Sequence, residues 1–143
     1  MSVIERKFLL QVPSSTENLA IVREFLNKVG QQAGMGDDEV AKVQLAVDEA
    51  CSNVIEHAYG HDSSKEVMVR VSFDHETLRI EVIDTGQGFD PSSIPRQELE
   101  ELVAQRKTGG LGVRLIQKLM DEVHYEVGPG KKNQIRMIKK IAR

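Results

Sequence analysis

The sequence predicts a two-layer α+β sandwich, on two observations. Its elements run in the order strand, two helices, two strands, an irregular segment, a helix and two strands. The strands are joined largely by short turns, while the helices form separate runs with one apolar stripe each, so helices should stack on one face of a hairpin-rich sheet.

Residues 4–12 alternate with Phe8, Leu10 and Val12 on one side, which reads as the leading strand. Pro13 to Glu17 stops it, and Ser14 with Glu17 three positions on matches a capping box that starts a helix. Leu19, Val22, Phe25, Leu26 and Val29 follow at helical spacing, and Gly30, Gly34 and Gly36 are expected to end that helix. Asp37 or Asp38 should cap a second helix running to about Ala58, with Val40, Val43, Val47, Ala50, Cys51, Val54 and Ala58 as its buried stripe and Gly60 as its stop. Val67–Phe73 and Leu78–Ile83 read as a hairpin about Asp74 to Thr77. A short helix is expected around Gln97–Val103. A helix opened by Gly112 covers Val113–Met120, and strands Val123–Val127 and Ile135–Ile141 flank a Gly128-Pro129-Gly130 turn.

The composition limits the function classes. The chain has 143 residues, a net charge of −3 and 40% hydrophobic residues, the profile of one ordinary globular domain that advertises no nucleic-acid surface. The basic residues near the end (Lys131, Lys132, Lys139, Lys140 and Arg143) read as a solvated strand and turn. The single cysteine, Cys51, excludes an internal disulfide and a cysteine-cluster metal site, and reads as a buried structural thiol. The N-terminus has no signal-peptide pattern and no window suits a membrane span, so a soluble cytoplasmic protein is expected.

Three polar constellations are not explained by the core. Taking about 100° per residue, Glu49, Asn53 and His57 fall within an arc of roughly 80° on the side away from the apolar stripe. An ordinary solvated face would look the same. A carboxylate and a carboxamide one turn apart are also able to move a proton and to hold Mg²⁺. Asp84-Thr85-Gly86-Gln87-Gly88-Phe89 follows a strand directly; it is either a common structural turn or a bare backbone beside an acceptor for an exocyclic amine such as that of adenine. Thr108-Gly109-Gly110-Leu111-Gly112-Val113 precedes a helix, as a hinge or as a cradle of N–H groups for a phosphate chain. It is neither a P-loop nor a dinucleotide fingerprint.

Together, in this order, these segments resemble the GHKL ATPases with their Bergerat fold, and so imply a mixed, mostly antiparallel sheet. Leu45 to Gly60 and Gly110 to Val123 are most similar to the bacterial anti-sigma factor and serine-protein kinase family. The resemblance implies ATP and Mg²⁺ as cofactors. It implies Glu49 as the catalytic carboxylate, Asn53 as Mg²⁺ ligand, Asp84 as adenine acceptor with Gly86 and Gly88 beside it, and Thr108, Gly109, Gly110, Leu111 and Gly112 around the phosphates. Residues 90–108 would form a lid, and Arg106 and Lys107 would be phosphate or transition-state partners; His57 has either a packing or a functional role.

The resemblance further implies one ATP-binding domain over residues 1–143 that phosphorylates a STAS-type anti-anti-sigma protein on serine or threonine, and anti-sigma activity. A sigma factor and a second copy of the chain would be further partners, with no direct nucleic-acid or membrane contact. A nucleotide-gated binding module without kinase turnover, or an ATPase domain of a larger signalling assembly, are the competing readings.

Overall fold

A computed structural model describes residues 5–60, 62–84, 111–127 and 133–141. Strand β1 (Arg6–Pro13) leads through a single 3₁₀ turn, Thr16–Asn18, into α1 (Leu19–Gln32) and α2 (Asp37–Asn53). The hairpin β2 (Glu66–Phe73) and β3 (Thr77–Asp84) follows, then α3 (Leu111–Leu119), β4 (Glu122–Val127) and β5 (Asn133–Lys140). The five strands form one sheet in the order β1-β2-β3-β5-β4. All four pairings among the described residues are antiparallel, which narrows the expected mixed sheet to a purely antiparallel one there.

The layering follows from strand alternation. Val67, Val69, Val71 and Phe73 of β2, Leu78, Ile80 and Val82 of β3, and Ile135 and Met137 of β5 are buried, in one cluster with Val22, Leu26 and Val29 of α1 and Val43 and Val47 of α2. The intervening positions are mostly polar, Met68, Ile83 and Ile138 excepted: Glu81 pairs with Arg70 at 3.7 Å and accepts from the Gln134 amide at 3.0 Å. The core is aliphatic, with one stacked aromatic pair among the described residues at its edge, Phe8 and Phe73, their ring centroids 6.1 Å apart. At the β2–β3 turn, Asp74 Oδ1 accepts the backbone N–H groups of Thr77 and Glu76, each at 2.8 Å. These bonds hold the Asp74 carboxyl below its ordinary range.

Several boundaries differ from the sequence expectation. The capping box does not form: the N-terminal cap of the 3₁₀ turn is Ser15, without a side-chain hydrogen bond. Ser14 is instead buried at the end of β1, where its N–H donates to the Lys65 carbonyl at 2.8 Å. Gly36, not an aspartate, occupies the cap position of α2; Asp37, Asp38 and Glu39 lie in the first turn, where their charge suits the positive helix end.

Gly30 does not end α1. The helix stops at Gly34, whose φ of 78° allows a Schellman ending: Met35 N–H donates to the Gly30 carbonyl and Gly34 N–H to that of Gln31. Gly30 is required for a different reason, the close approach of α2. A Cβ placed there would lie 2.7 Å from Val40 Cγ2. Gly30→Ala is therefore expected to destabilise the fold by about 1–3 kcal/mol, overpacking outweighing the better helix propensity of alanine. Thermal melting tests this, and an unchanged Tm would show that the two helices can separate freely.

Candidate active site

Helix α2 is where the site starts. Its apolar stripe is buried as expected, from Val40 through Val43, Ala46, Val47 and Ala50 to Cys51, and this fixes the helix rotation. It packs against α1, against α3 and against β3. The three elements that carry the three polar constellations are thus neighbours, although 35 positions separate Glu49 from Asp84 in the chain.

On α2, Glu49 and Asn53 are half-buried, not on a fully solvated face. Among the described residues neither side chain makes a hydrogen bond or ion pair. A helix that half-buries a carboxylate and a carboxamide one turn apart, about 6 Å along its axis, and commits neither to the fold presents two oxygen donors for a ligand. The adjacent Asp48, by contrast, is occupied structurally. Its Oδ2 accepts from Arg23 Nη1 at 2.8 Å and ties α2 to α1, with the Gln44 amide donating to the Arg23 carbonyl at 2.9 Å.

The α-helix ends at Asn53, short of the expected Ala58. Val54–Ala58 is a π-helical turn, in which Tyr59 N–H donates to the Val54 carbonyl at 3.0 Å. The wider turn breaks the 3.6-residue repeat, so the backbone at His57 no longer follows the angular series of Glu49 and Asn53. Tyr59, buried at the exit, donates its hydroxyl to the Glu66 carbonyl at 2.9 Å. That bond secures the end of the turn on the first residue of β2.

Cys51 is 1% exposed, and burial, assisted by the Asp48 charge, pushes its thiol up to about 12. It stays protonated at neutral pH and is no nucleophile, as the structural reading expects.

Asp84 ends β3 on the inner face, in register with Val67 on one side and Asn133 on the other. It is only 1% exposed, and the Asn133 amide donates to its Oδ1 at 3.1 Å. Sequence reasoning missed Asn133, since nothing local marks a residue 49 positions away as the carboxylate's partner. Its only sequence signal is a polar residue at an inward position of an apolar strand. Asn133 is 4% exposed and, among the described residues, its Oδ1 has no hydrogen-bond partner. The Asp84 carboxylate accepts from the amide nitrogen, so the amide oxygen is the atom left over. A buried carboxylate beside an unsatisfied carbonyl is a site for a donor such as an exocyclic amine.

Gly112 is the second residue of α3 and does not open it; Leu111 is the first. Gly86, Gly88, Thr108, Gly109 and Gly110, with Arg106, Lys107, the expected 97–103 helix, the 90–108 lid and the 128–130 turn, lie outside the described residues. Among the described residues no group of three or more His, Cys, Asp or Glu converges on a metal position. The oxygen donors of Glu49 and Asn53 nevertheless suit a hard cation that keeps most of its own waters, as Mg²⁺ does.

Residues 12–139 match the histidine kinase-like ATPase domain family. The chain belongs to that family. Within it, the chain is similar to serine-protein kinases: it is 35% identical over 122 residues to serine-protein kinase RsbW of Bacillus subtilis (strain 168), covering 82% of this chain and 76% of that relative. It is 36% identical over 131 residues to the RsbW of Bacillus pumilus (strain SAFR-032), covering 85% and 78%.

Two solved structures share the fold. The RsbU and RsbW domains of a Mycobacterium tuberculosis protein superpose with a TM-score of 0.70 at 18% identity, covering 96% of this chain and 33% of that longer chain. The SiaB–SiaC complex of Pseudomonas aeruginosa gives a TM-score of 0.67 at 13% identity, covering 95% and 89%. The α+β architecture and the use of ATP are those of the family. No helix among the described residues is long and apolar enough to cross a membrane.

Proposed function

We propose that the chain transfers the γ-phosphoryl group of Mg-ATP to a serine or threonine of a small STAS-type anti-anti-sigma protein, and also acts as an anti-sigma regulatory factor. The observation that carries this reading is the packing of α2 against both β3 and α3, with Glu49 and Asn53 half-buried and uncommitted on it. The relatives at 30–36% identity are serine-protein kinases, which supports a protein hydroxyl as acceptor. The match over residues 12–139 supports a single ATP-binding domain spanning 1–143.

The roles follow from chemistry. Glu49 accepts the proton of the attacking hydroxyl. Asn53 holds Mg²⁺ through its amide oxygen; the ion, when bound, neutralises charge on the phosphates. Asp84 accepts the adenine amine, with Gly86 and Gly88 letting the base approach the backbone. Thr108, Gly109, Gly110, Leu111 and Gly112 face the phosphates. A phosphate placed on the partner adds close to two negative charges to a protein contact and releases it. A sigma factor as a second partner, a homodimer and a cytoplasmic location complete the proposal.

The test is incubation of the kinase with Mg-ATP and a STAS protein encoded beside it. Phosphate on a single serine or threonine of that protein, lost when Mg²⁺ is chelated, is the expected result. Mg-ATP binding without transfer to any such protein would leave a nucleotide-gated binding module instead.

A further inference from the structure

Lys139 departs from the solvated strand and turn that the C-terminal basic residues suggest. It sits on the inner face of β5, in the row Ile135, Met137, Lys139 that packs under the helices, and is only 8% exposed. An apolar residue would continue that row with no desolvation cost, so a buried ammonium there needs a reason. Its Nζ donates to the carbonyl of Leu119, the last residue of α3, at 3.1 Å. It also lies 3.4 Å from Glu39 Oε2 in the first turn of α2, while the other oxygen of Glu39 faces Lys42 at 3.4 Å.

One side chain thus joins the C-terminal end of α3, the N-terminal end of α2 and β5. Backbone bonds support the same corner: Asp121 N–H donates to the Ile138 carbonyl at 2.9 Å and Lys140 N–H to Asp121 Oδ2 at 2.6 Å. Helix α3 has nine residues, too few to hold itself in water. Its opposite end, about 13 Å away along the axis, follows Gly109 and Gly110 in the chain.

We propose that Lys139 is a positioning residue for the nucleotide phosphates: it anchors the far end of α3, so that the N–H groups at the near end are held ready for the phosphate oxygens. Its ammonium complements the negative end of the helix, and a bound phosphate complements the positive end, so the two act on one element. The inference rests on the reading of the Gly109–Gly112 segment as the phosphate neighbour.

Calorimetric titration of the full chain with ATP and with adenosine tests it. Lys139→Met is expected to weaken ATP about fivefold and leave adenosine unchanged, whereas Lys139→Arg stays within about twofold of wild type for both. Glu39→Gln, which removes one arm of the tie, is expected to lower the ATP-to-adenosine affinity ratio about twofold, and it carries the test if the methionine variant fails to fold. A ratio unchanged in the variants while wild type prefers ATP overturns the role of Lys139 alone. A wild type that binds adenosine as tightly as ATP overturns the phosphate reading and the role of Lys139 together.

Discussion

Glu49→Ala is expected to reduce phosphoryl transfer by about 10²–10⁴-fold while ATP binding stays within about twofold of wild type. The reason is positional. Glu49 is half-buried on α2, one turn before Asn53, and the fold asks nothing of its carboxylate among the described residues. Removing it therefore costs little folding energy, and it takes away the group proposed to receive the hydroxyl proton as the bond to phosphorus forms. Glu49→Gln is the sharper variant, since it keeps the shape and discards only the basicity. Single-turnover transfer at saturating Mg-ATP, with the melting temperature measured in parallel, separates chemistry from stability. Transfer at wild-type rate by the glutamine variant would remove Glu49 from the catalytic role. A loss of ATP binding equal to the loss of rate would move it to nucleotide binding.

Asp84→Asn should cost about 30–100-fold in ATP affinity. Asp84 is almost wholly enclosed and already accepts the Asn133 amide. A second carboxamide at this position replaces an acceptor-only group by one that also brings two donors. With Asn133 held as it is, either orientation of the new amide turns a buried donor toward the adenine amine or toward the Asn133 nitrogen. Unmet buried polar groups of this kind cost about 1–3 kcal/mol each, and 1.4 kcal/mol is a factor of ten. Stability without nucleotide should change much less, because the substitution also removes a buried charge. The expected record is a nearly unchanged melting curve in buffer and a lost ATP-dependent shift. A variant that keeps the wild-type shift would take Asp84 out of base recognition. Purine riboside triphosphate, which carries a hydrogen in place of the amine, should bind wild type and variant alike.

Much of the fold was legible because strand and helix periods are local properties. The stripes Val22–Leu26–Val29 and Val40–Val43–Val47 and the inward rows of β2 and β3 can be read from spacing, and each is buried where spacing puts it. The element order was likewise available, since turn residues punctuate it. Helix ends were read less well. Gly30 looks like a stop in isolation, but the close approach of Val40 explains it. Ser14 and Glu17 match a capping pattern that the pairing of Ser14 with Lys65 overrides.

The candidate site divides along the same line. Glu49, Asn53 and Asp84 stand out as polar residues at positions where helix or strand geometry leaves them unexplained, and their residue types alone suggest proton transfer, cation ligation and amine recognition. The sequence by itself determined the two-layer α+β class, the aliphatic core and the family, because these depend on periodicity and on motif residues a few positions apart. Tertiary structure alone decided that α2 packs against both β3 and α3, that Asn133 completes the environment of Asp84, and that Lys139 is buried against the end of α3. Those facts depend on strand register and helix packing, which bring together residues dozens of positions apart. No local preference of the chain encodes such a meeting; only the closing of the whole core sets it.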